Sequence, residues 1–239
     1  MIKNYFLPFI FICLALNFSF GQTTIGIQDF ESVPATPTMT YTGGSIATGN
    51  GPFPTGADNF VSGSQAIEES DGTSTVLFSS VDASGYTSIY FTFRLASFSG
   101  TSGNGADGSD EVFVGVSTDG GATWSDELEI EGNSNARWSF DSGTGTASTT
   151  FDGDNSATIF TPSGGGNRTS DGYSTITIND LPNSSNLRVR LIMNNNSGNE
   201  YWIVDDAEIL GTPAAACTSP TAQPTSLVLR EDVLLDFKE

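Results

Sequence analysis

The side chains that could do chemistry in this 239-residue chain are carboxylates: 28 Asp and Glu stand against eight Lys and Arg, and there is no histidine. Without an imidazole there is no His-based nucleophilic triad, no His zinc ligand and no imidazole general base. Paired carboxylates can hydrolyse glycosides, but acids are too numerous here for one pair to be singled out. Ser142-Gly143 and similar runs lack the strand-to-helix elbow and the base that would activate a serine. What the composition does suit is the coordination of hard cations by oxygen. The chain is expected to bind rather than to catalyse. Acids and turn residues concentrate over residues 107–124. There a loop holding Asp107, Asp110 and Glu111 runs into an alternating strand of Val112, Val114 and Val116, then into an Asp119-Gly120-Gly121 turn before Trp124.

Holding such a loop in place requires strands, and the composition favours them. Glycine (27) and phenylalanine (17) are abundant, as expected of many short strands joined by turns. Apolar residues alternate at Ile89, Phe91, Phe93 and Leu95, at Leu187, Val189, Leu191 and Met193, and at Trp202 and Val204. Alternation of this kind puts one face of each strand in a core and leaves the other wet. Further strands are expected over residues 24–30, 39–42, 64–67, 75–81, 174–178 and 201–210, with weaker ones at 137–140, 148–151 and 157–160. Residues 43–63 read as a long irregular loop, a kind of connection that is usually functional or ordered by something bound. No helical period of three and four extends over a helix-length window after the first 21 residues. The fold class expected is therefore all-β, an antiparallel β-sandwich.

The N-terminus carries Lys3, then an apolar run from Tyr5 to Leu16, then Ser19 and Gly21 as small residues before Gln22. This reads as a secretory leader over residues 1–21, too short to remain as a membrane anchor. Cys13 leaves with it, so Cys217 is the one cysteine of the mature chain, free to pair only outside the sandwich. The remaining 218 residues suffice to bury roughly 70% of the unfolded surface, and they carry seven basic against 28 acidic residues, about −21. Such a charge repels phosphate backbones and anionic lipid, so neither nucleic acid nor a membrane is an expected partner. The sandwich is expected over residues 22–211. A linker and the start of a second module follow over 212–229, and a charged tail of different character over 230–239. So short a tail cannot complete a β-module, so the chain reads as part of a longer parent, or as disturbed in frame near residue 230.

Two resemblances bear on this organisation. Residues 117–124, Ser-Thr-Asp-Gly-Gly-Ala-Thr-Trp, resemble the Asp-box of sialidase-type propellers, a turn motif of structural rather than catalytic use. One copy does not make a propeller, and its local role is to close a hairpin. Asp29-Phe30-Glu31, together with Glu200-Tyr201-Trp202-Ile203-Val204-Asp205-Asp206, resembles the first and last strands of jelly-roll modules in secreted bacterial proteins, similar to MAM-like and carbohydrate-binding-module domains. The run from Cys217 to Leu229 resembles the opening of fibronectin-type-III-like modules in such proteins, many of them type IX secretion cargo.

The jelly-roll resemblance implies a structural calcium ion where first strand, last strand and a central loop meet. Its ligands would come from Asp29, Glu31, Asp107, Asp110, Glu111, Asp205 and Asp206, with Asp107, Asp110 and Asp206 as the leading set. Asp205 and Asp206 should point to opposite faces of their strand. The buried one would then need a compensating charge, which a cation would supply. The function expected is a secreted or cell-surface module that binds a polysaccharide or cell-surface glycan, with Trp138, Tyr41 and Tyr173 as candidates for stacking on sugar. An accessory domain of a larger extracellular hydrolase and a spacer in an adhesin are the alternatives.

Overall fold

A computed structural model of the chain describes residues 21–164 and 170–215. The leader up to residue 20, the Cys217 segment and the charged tail lie outside the described residues. The strands are β1 (Thr23–Gln28), β2 (Tyr41–Thr42), β3 (Ser45–Thr48), β4 (Gln65–Glu69), β5 (Gly72–Phe78), β6 (Tyr86–Ser99), β7 (Glu111–Ser117), β8 (Ser125–Glu131), β9 (Gly145–Thr150), β10 (Thr158–Phe160), β11 (Tyr173–Leu181), β12 (Arg188–Asn195) and β13 (Glu200–Pro213). No helix among the described residues is long and apolar enough to cross a membrane.

Two sheets form the sandwich. One runs β3-β4-β13-β6-β11-β9 with β1 added to β13, and the other runs β10-β8-β7-β12-β5-β2. Within them the antiparallel quartets β4-β13-β6-β11 and β5-β12-β7-β8 are built by a chain that changes sheet at nearly every step, the winding of a jelly roll. The sandwich expected from alternation is therefore the fold observed. Its core is what the alternation marked: Ile89, Phe91, Phe93 and Leu95 of β6 meet Val112, Val114 and Val116 of β7 and Leu187, Val189, Leu191 and Met193 at β12, all essentially inaccessible to solvent.

Two stretches differ from expectation. Residues 45–48, placed in a long loop, form β3 and pair with β4 from Ser45 opposite Glu68 to Thr48 opposite Gln65. Residues 137–140 form no strand and meet β6 through a bridge between Ser97 and Trp138 and through side-chain bonds from Trp138 to the Leu95 carbonyl at 3.2 Å and from Arg94 to the Phe140 carbonyl at 2.7 Å. The segment lies beside β6, sending Trp138 into the main core, while Phe140 joins Ala47, Ala66, Ala96, Phe98 and Ile203 in a second, smaller apolar cluster on the outer face of the first sheet.

The Asp-box-like turn closes the β7–β8 hairpin as a local device. Asp119 accepts the Thr123 N–H at 2.9 Å and the hydroxyls of Thr123 and Ser117 at 2.7 Å, and these bonds hold its carboxyl well below the usual range. Trp124 donates its indole N–H to the Gly121 carbonyl at 3.1 Å, and Arg190 lies over its ring while pairing with Asp126 at 2.9 Å. Gly121 has φ +101°, and a Cβ there would meet Arg188 at 3.0 Å and Trp124 at 3.3 Å. Gly121→Ala is expected to lower stability by about 1–2 kcal/mol, the cost of a side chain in left-handed backbone, as read by urea denaturation.

Candidate functional site

The connection from β6 to β7 ends in a tight turn in which the Asp110 N–H donates to the Asp107 carbonyl at 3.0 Å. Asp107 accepts the Ser109 N–H at 2.9 Å. Asp110 is fully buried, one carboxylate oxygen accepting the Asp107 N–H at 2.7 Å and the other the Asn196 N–H at 2.9 Å. Asn196 belongs to the hairpin between β12 and β13, so Asp110 ties that hairpin to the loop.

The third acid of the site is Glu200, the first residue of β13. It reaches this position because β13 and β6 pair with Glu200 opposite Ser99, beside the point where the loop leaves β6. One oxygen from each of Asp107, Asp110 and Glu200 lies within 4.8 Å of the other two. Glu200 is only 4% exposed; it takes a backbone bond from Gly105, yet its Oε2 has no hydrogen-bond partner. Burial, and then the charges of Asp110 and Asp107, push the Glu200 carboxyl up to about 7. Burial likewise raises Asp110 above its ordinary value, against the pull of its two backbone bonds. Glu111, next in sequence, stands opposite Glu131 across β7 and β8.

Asp206 is not part of this group, contrary to the expected set. It lies six residues further along β13, about 20 Å at the ~3.3 Å rise of a strand. Asp205 and Asp206 sit instead at a β-bulge, where the register with β6 shifts between Asp205 and Glu208 and Asp206 takes φ +47°. The bulge breaks the simple alternation that would have sent the two carboxylates to opposite faces. Asp205, fully buried, accepts the N–H groups of Val61 at 2.7 Å, Ser62 at 3.2 Å and Asp206 at 2.8 Å, while Asp206 accepts the Ser62 hydroxyl at 2.7 Å. Backbone donors thus surround the buried acid where a cation was expected, and offset part of its burial.

Glu31 holds the same segment from the other side, accepting the N–H groups of Ser64 at 2.6 Å and Gln65 at 2.7 Å, bonds that lower its pKa. Asp29 caps its own turn by accepting from Ala35 at 3.0 Å and Glu31 at 3.4 Å. These four acids fasten residues 61–65 and the turn after β1, and they form a group separate from Asp107, Asp110 and Glu200.

Burial outweighs the backbone bonds at Asp205 and, with the charge of Asp206, pushes its carboxyl up to about 7. An acid whose pKa is higher folded than unfolded adds stability that is fully present below its unfolded value near 4 and lost as pH rises through 7. In calcium-free buffer the stability of the wild type relative to Asp205→Asn is therefore expected to fall as pH rises from 5 to 7, by at most about 1.4 kcal/mol per pH unit, and to level off above that. Paired thermal melts across this range would show it; a difference independent of pH would refute the assignment.

The aromatic candidates fare differently from one another. Trp138 is fully buried, packed edge-to-face on Trp202 at 5.7 Å with its indole N–H bonded to the Leu95 carbonyl at 3.2 Å, so it presents no face to a ligand. The segment that carries it pairs with β6 at Ser97, which turns the ring into the core. Tyr41 and Tyr173 are partly buried, set edge-on to Phe30 at 5.0 Å and to Phe160 at 5.6 Å. They stand on different sheets and form no common platform. Glu200 is the site residue that sequence reasoning passed over. It opens the last strand, but the register that selects it is not a local property.

No protein-family model and no curated protein matches the chain. Among solved structures it is similar to the carbohydrate-binding module TmCBM61 in complex with β-1,4-galactotriose, at 12% identity over 73% of this chain and 88% of that one, with a TM-score of 0.38. It is similar too to the K2 cleaved adhesin domain of Lys-gingipain, at 12% identity over 79% and 97% with a TM-score of 0.36. A third is an exo-β-agarase, at 15% identity over 78% of this chain and 25% of that one, with a TM-score of 0.35. At such identities and TM-scores these likenesses carry nothing about residues or ligands.

Proposed function

We propose that the protein is a non-catalytic module, residues 22–211 of a secreted or cell-surface chain with further domains, that binds a polysaccharide or cell-surface glycan and is ordered by calcium. The observation that carries this reading is the meeting of Asp107, Asp110 and Glu200, with the buried Glu200 Oε2 left without a partner. An unpaired buried carboxylate is costly, and two further acids beside it raise the cost. The donor set fits calcium: all its atoms are hard oxygens, and Ca–O distances of about 2.3–2.6 Å let ligands of one ion stand up to about 5 Å apart. Bound there, calcium would supply positive charge that neutralises the group. The three side chains would hold it between the loop entering β7 and the first residue of β13, joining the two sheets at that end.

The glycan part of the reading is supported by what the fold offers and what it lacks. The net charge of −20 excludes polyanions as partners, and the clustered acids have the geometry of a cation cage rather than of an acid–base pair across an open cleft. Chelator-stripped protein passed over immobilised polysaccharides, with and without calcium, tests it. Retention that calcium restores is expected; no retention on any glycan would leave a spacer as the function.

A further inference from the structure

The outer face of the first sheet holds a site that the acidic group does not explain. In β4, β13 and β6 the residues on that face include two cross-strand pairs, Glu68 opposite Ile203 and Phe98 opposite Tyr201. Next to them Ala47, Ala66 and Ala96 keep the surface low, so that residues 49–60 can lie across it. The crossing is close: a Cβ on Gly51 would stand 2.0 Å from the Phe98 ring. This segment is tied to itself by Asn59 N–H to the Gly49 carbonyl at 2.9 Å and Gly51 N–H to the Ala57 carbonyl at 3.0 Å, and to β6 by Ser99 N–H to the Phe53 carbonyl at 2.8 Å. Between segment and sheet remains a cleft of about 230 Å³, lined by Pro52, Asn59, Glu68, Phe98, Tyr201 and Ile203.

The polar groups of this cleft are acceptors. Asn59 donates through Nδ2 to the Thr48 carbonyl at 3.3 Å, which fixes the amide, and its buried Oδ1 meets no donor in the protein. A ligand hydroxyl brought against it would supply the missing donor, and a buried acceptor left unpaired is destabilising. Glu68 adds a carboxylate on the same wall, while Phe98, Ile203 and the partly buried Tyr201 offer an apolar and aromatic floor. A group that is flat and apolar on one face and carries hydroxyl donors at its rim satisfies both requirements: a sugar ring. The volume is below the ~300–1,000 Å³ of sites for drug-sized ligands, so one ring enters and the rest of the chain stays outside. Glu68 and the net charge of −20 exclude sugars bearing carboxylate or sulfate.

We infer that this cleft, with Tyr201 as stacking surface and Asn59 and Glu68 as hydroxyl acceptors, is where the protein holds an uncharged sugar residue of its glycan. The inference rests on the glycan-binding reading and gives it a place and a ligand class. It also connects the two sites, because Tyr201 directly follows Glu200 and its hydroxyl donates to the Gly198 carbonyl at 3.1 Å in the hairpin that Asp110 secures through Asn196.

The test is a binding series on uncharged, uronate-containing and sulfated oligosaccharides. Wild type is expected to retain uncharged ones alone. Tyr201→Ala, Asn59→Ala and Glu68→Gln should each weaken that binding by about tenfold, the loss of one stacking face or one hydrogen bond to a charged or buried acceptor, with melting temperatures within a few degrees of wild type. If wild type retains no oligosaccharide, the glycan-binding reading and this assignment fall together. If it retains one but the three folded variants bind it as well, or if only Tyr173→Ala loses it, the cleft assignment falls and the reading stands. Retention confined to the charged glycans would equally overturn the assignment.

Discussion

Calcium at about 10 mM is expected to raise the melting temperature of the wild-type protein by about 10 °C and to leave Glu200→Gln nearly unmoved. A buried site with a Kd of order 10⁻⁵ M would then be saturated about a thousandfold, a stabilisation of about 4 kcal/mol. For a domain of this size each kcal/mol moves the melting temperature by about 2–4 °C. The calcium-free order should be the reverse. Glu200 is buried beside two aspartates with one oxygen unpaired, so its neutral isostere should melt at or above the wild type when calcium is absent. This crossing of the two variants distinguishes a cation site from a merely strained cluster, because nonspecific calcium binding to a chain of charge −20 would raise both alike.

The second large effect is expected at Trp138, and it is an effect on folding rather than on binding. Trp138→Ala should cost about 3–5 kcal/mol, the usual price of truncating a fully buried tryptophan, and lower the melting temperature by about 10 °C or more. The ring fills the interior against Trp202, and its N–H satisfies the Leu95 carbonyl. Removing it leaves a cavity and an unpaired acceptor together. Measured below its own melting temperature, the variant should retain glycan within about threefold of wild type, because the cleft lined by Tyr201 and Asn59 does not include this side chain. A stable Trp138→Ala protein that has lost its glycan would instead return Trp138 to the sugar-stacking role that its sequence context suggested.

What the sequence made legible was whatever is written within one strand. Alternation over Ile89, Phe91, Phe93 and Leu95 marks a buried face without regard to partners, and the core of β6, β7 and β12 follows from it. Asp119 through Trp124 also carry much of their own geometry, because the side-chain hydrogen bonds of Asp119 and Trp124 join residues within a few positions. Contacts set by register were not legible. Nothing local in Glu200-Tyr201-Trp202 distinguishes Glu200 from the other acids; it becomes a partner of Asp107 and Asp110 because β13 meets β6 with Glu200 opposite Ser99. Asp205 and Asp206 misled for the complementary reason. Two adjacent acids imply opposite faces only in a regular strand, and Asp206 sits in a bulge with φ +47°.

The outer-face cleft was hidden in the same way. Ile46 is exposed and Ala47 buried in a short run between glycines, a pattern too weak to mark β3. Without β3, the segment over residues 49–60 could not be placed above Ala66 and Ala96. Tyr41, Trp138 and Tyr173 adjoin turn-rich sequence, yet the partly buried tyrosine that lines the cleft stands on β13, within a strand. Loop proximity identified aromatic residues near turns but not which of them a loop would cover.

The central claim, that three carboxylates of the jelly roll hold calcium, is tested most directly by calorimetric titration of calcium into chelator-stripped wild type and Glu200→Gln. One saturable site per chain in the wild type, absent from Glu200→Gln, is the result predicted. Heat that is missing in both proteins, or the same in both, would contradict it.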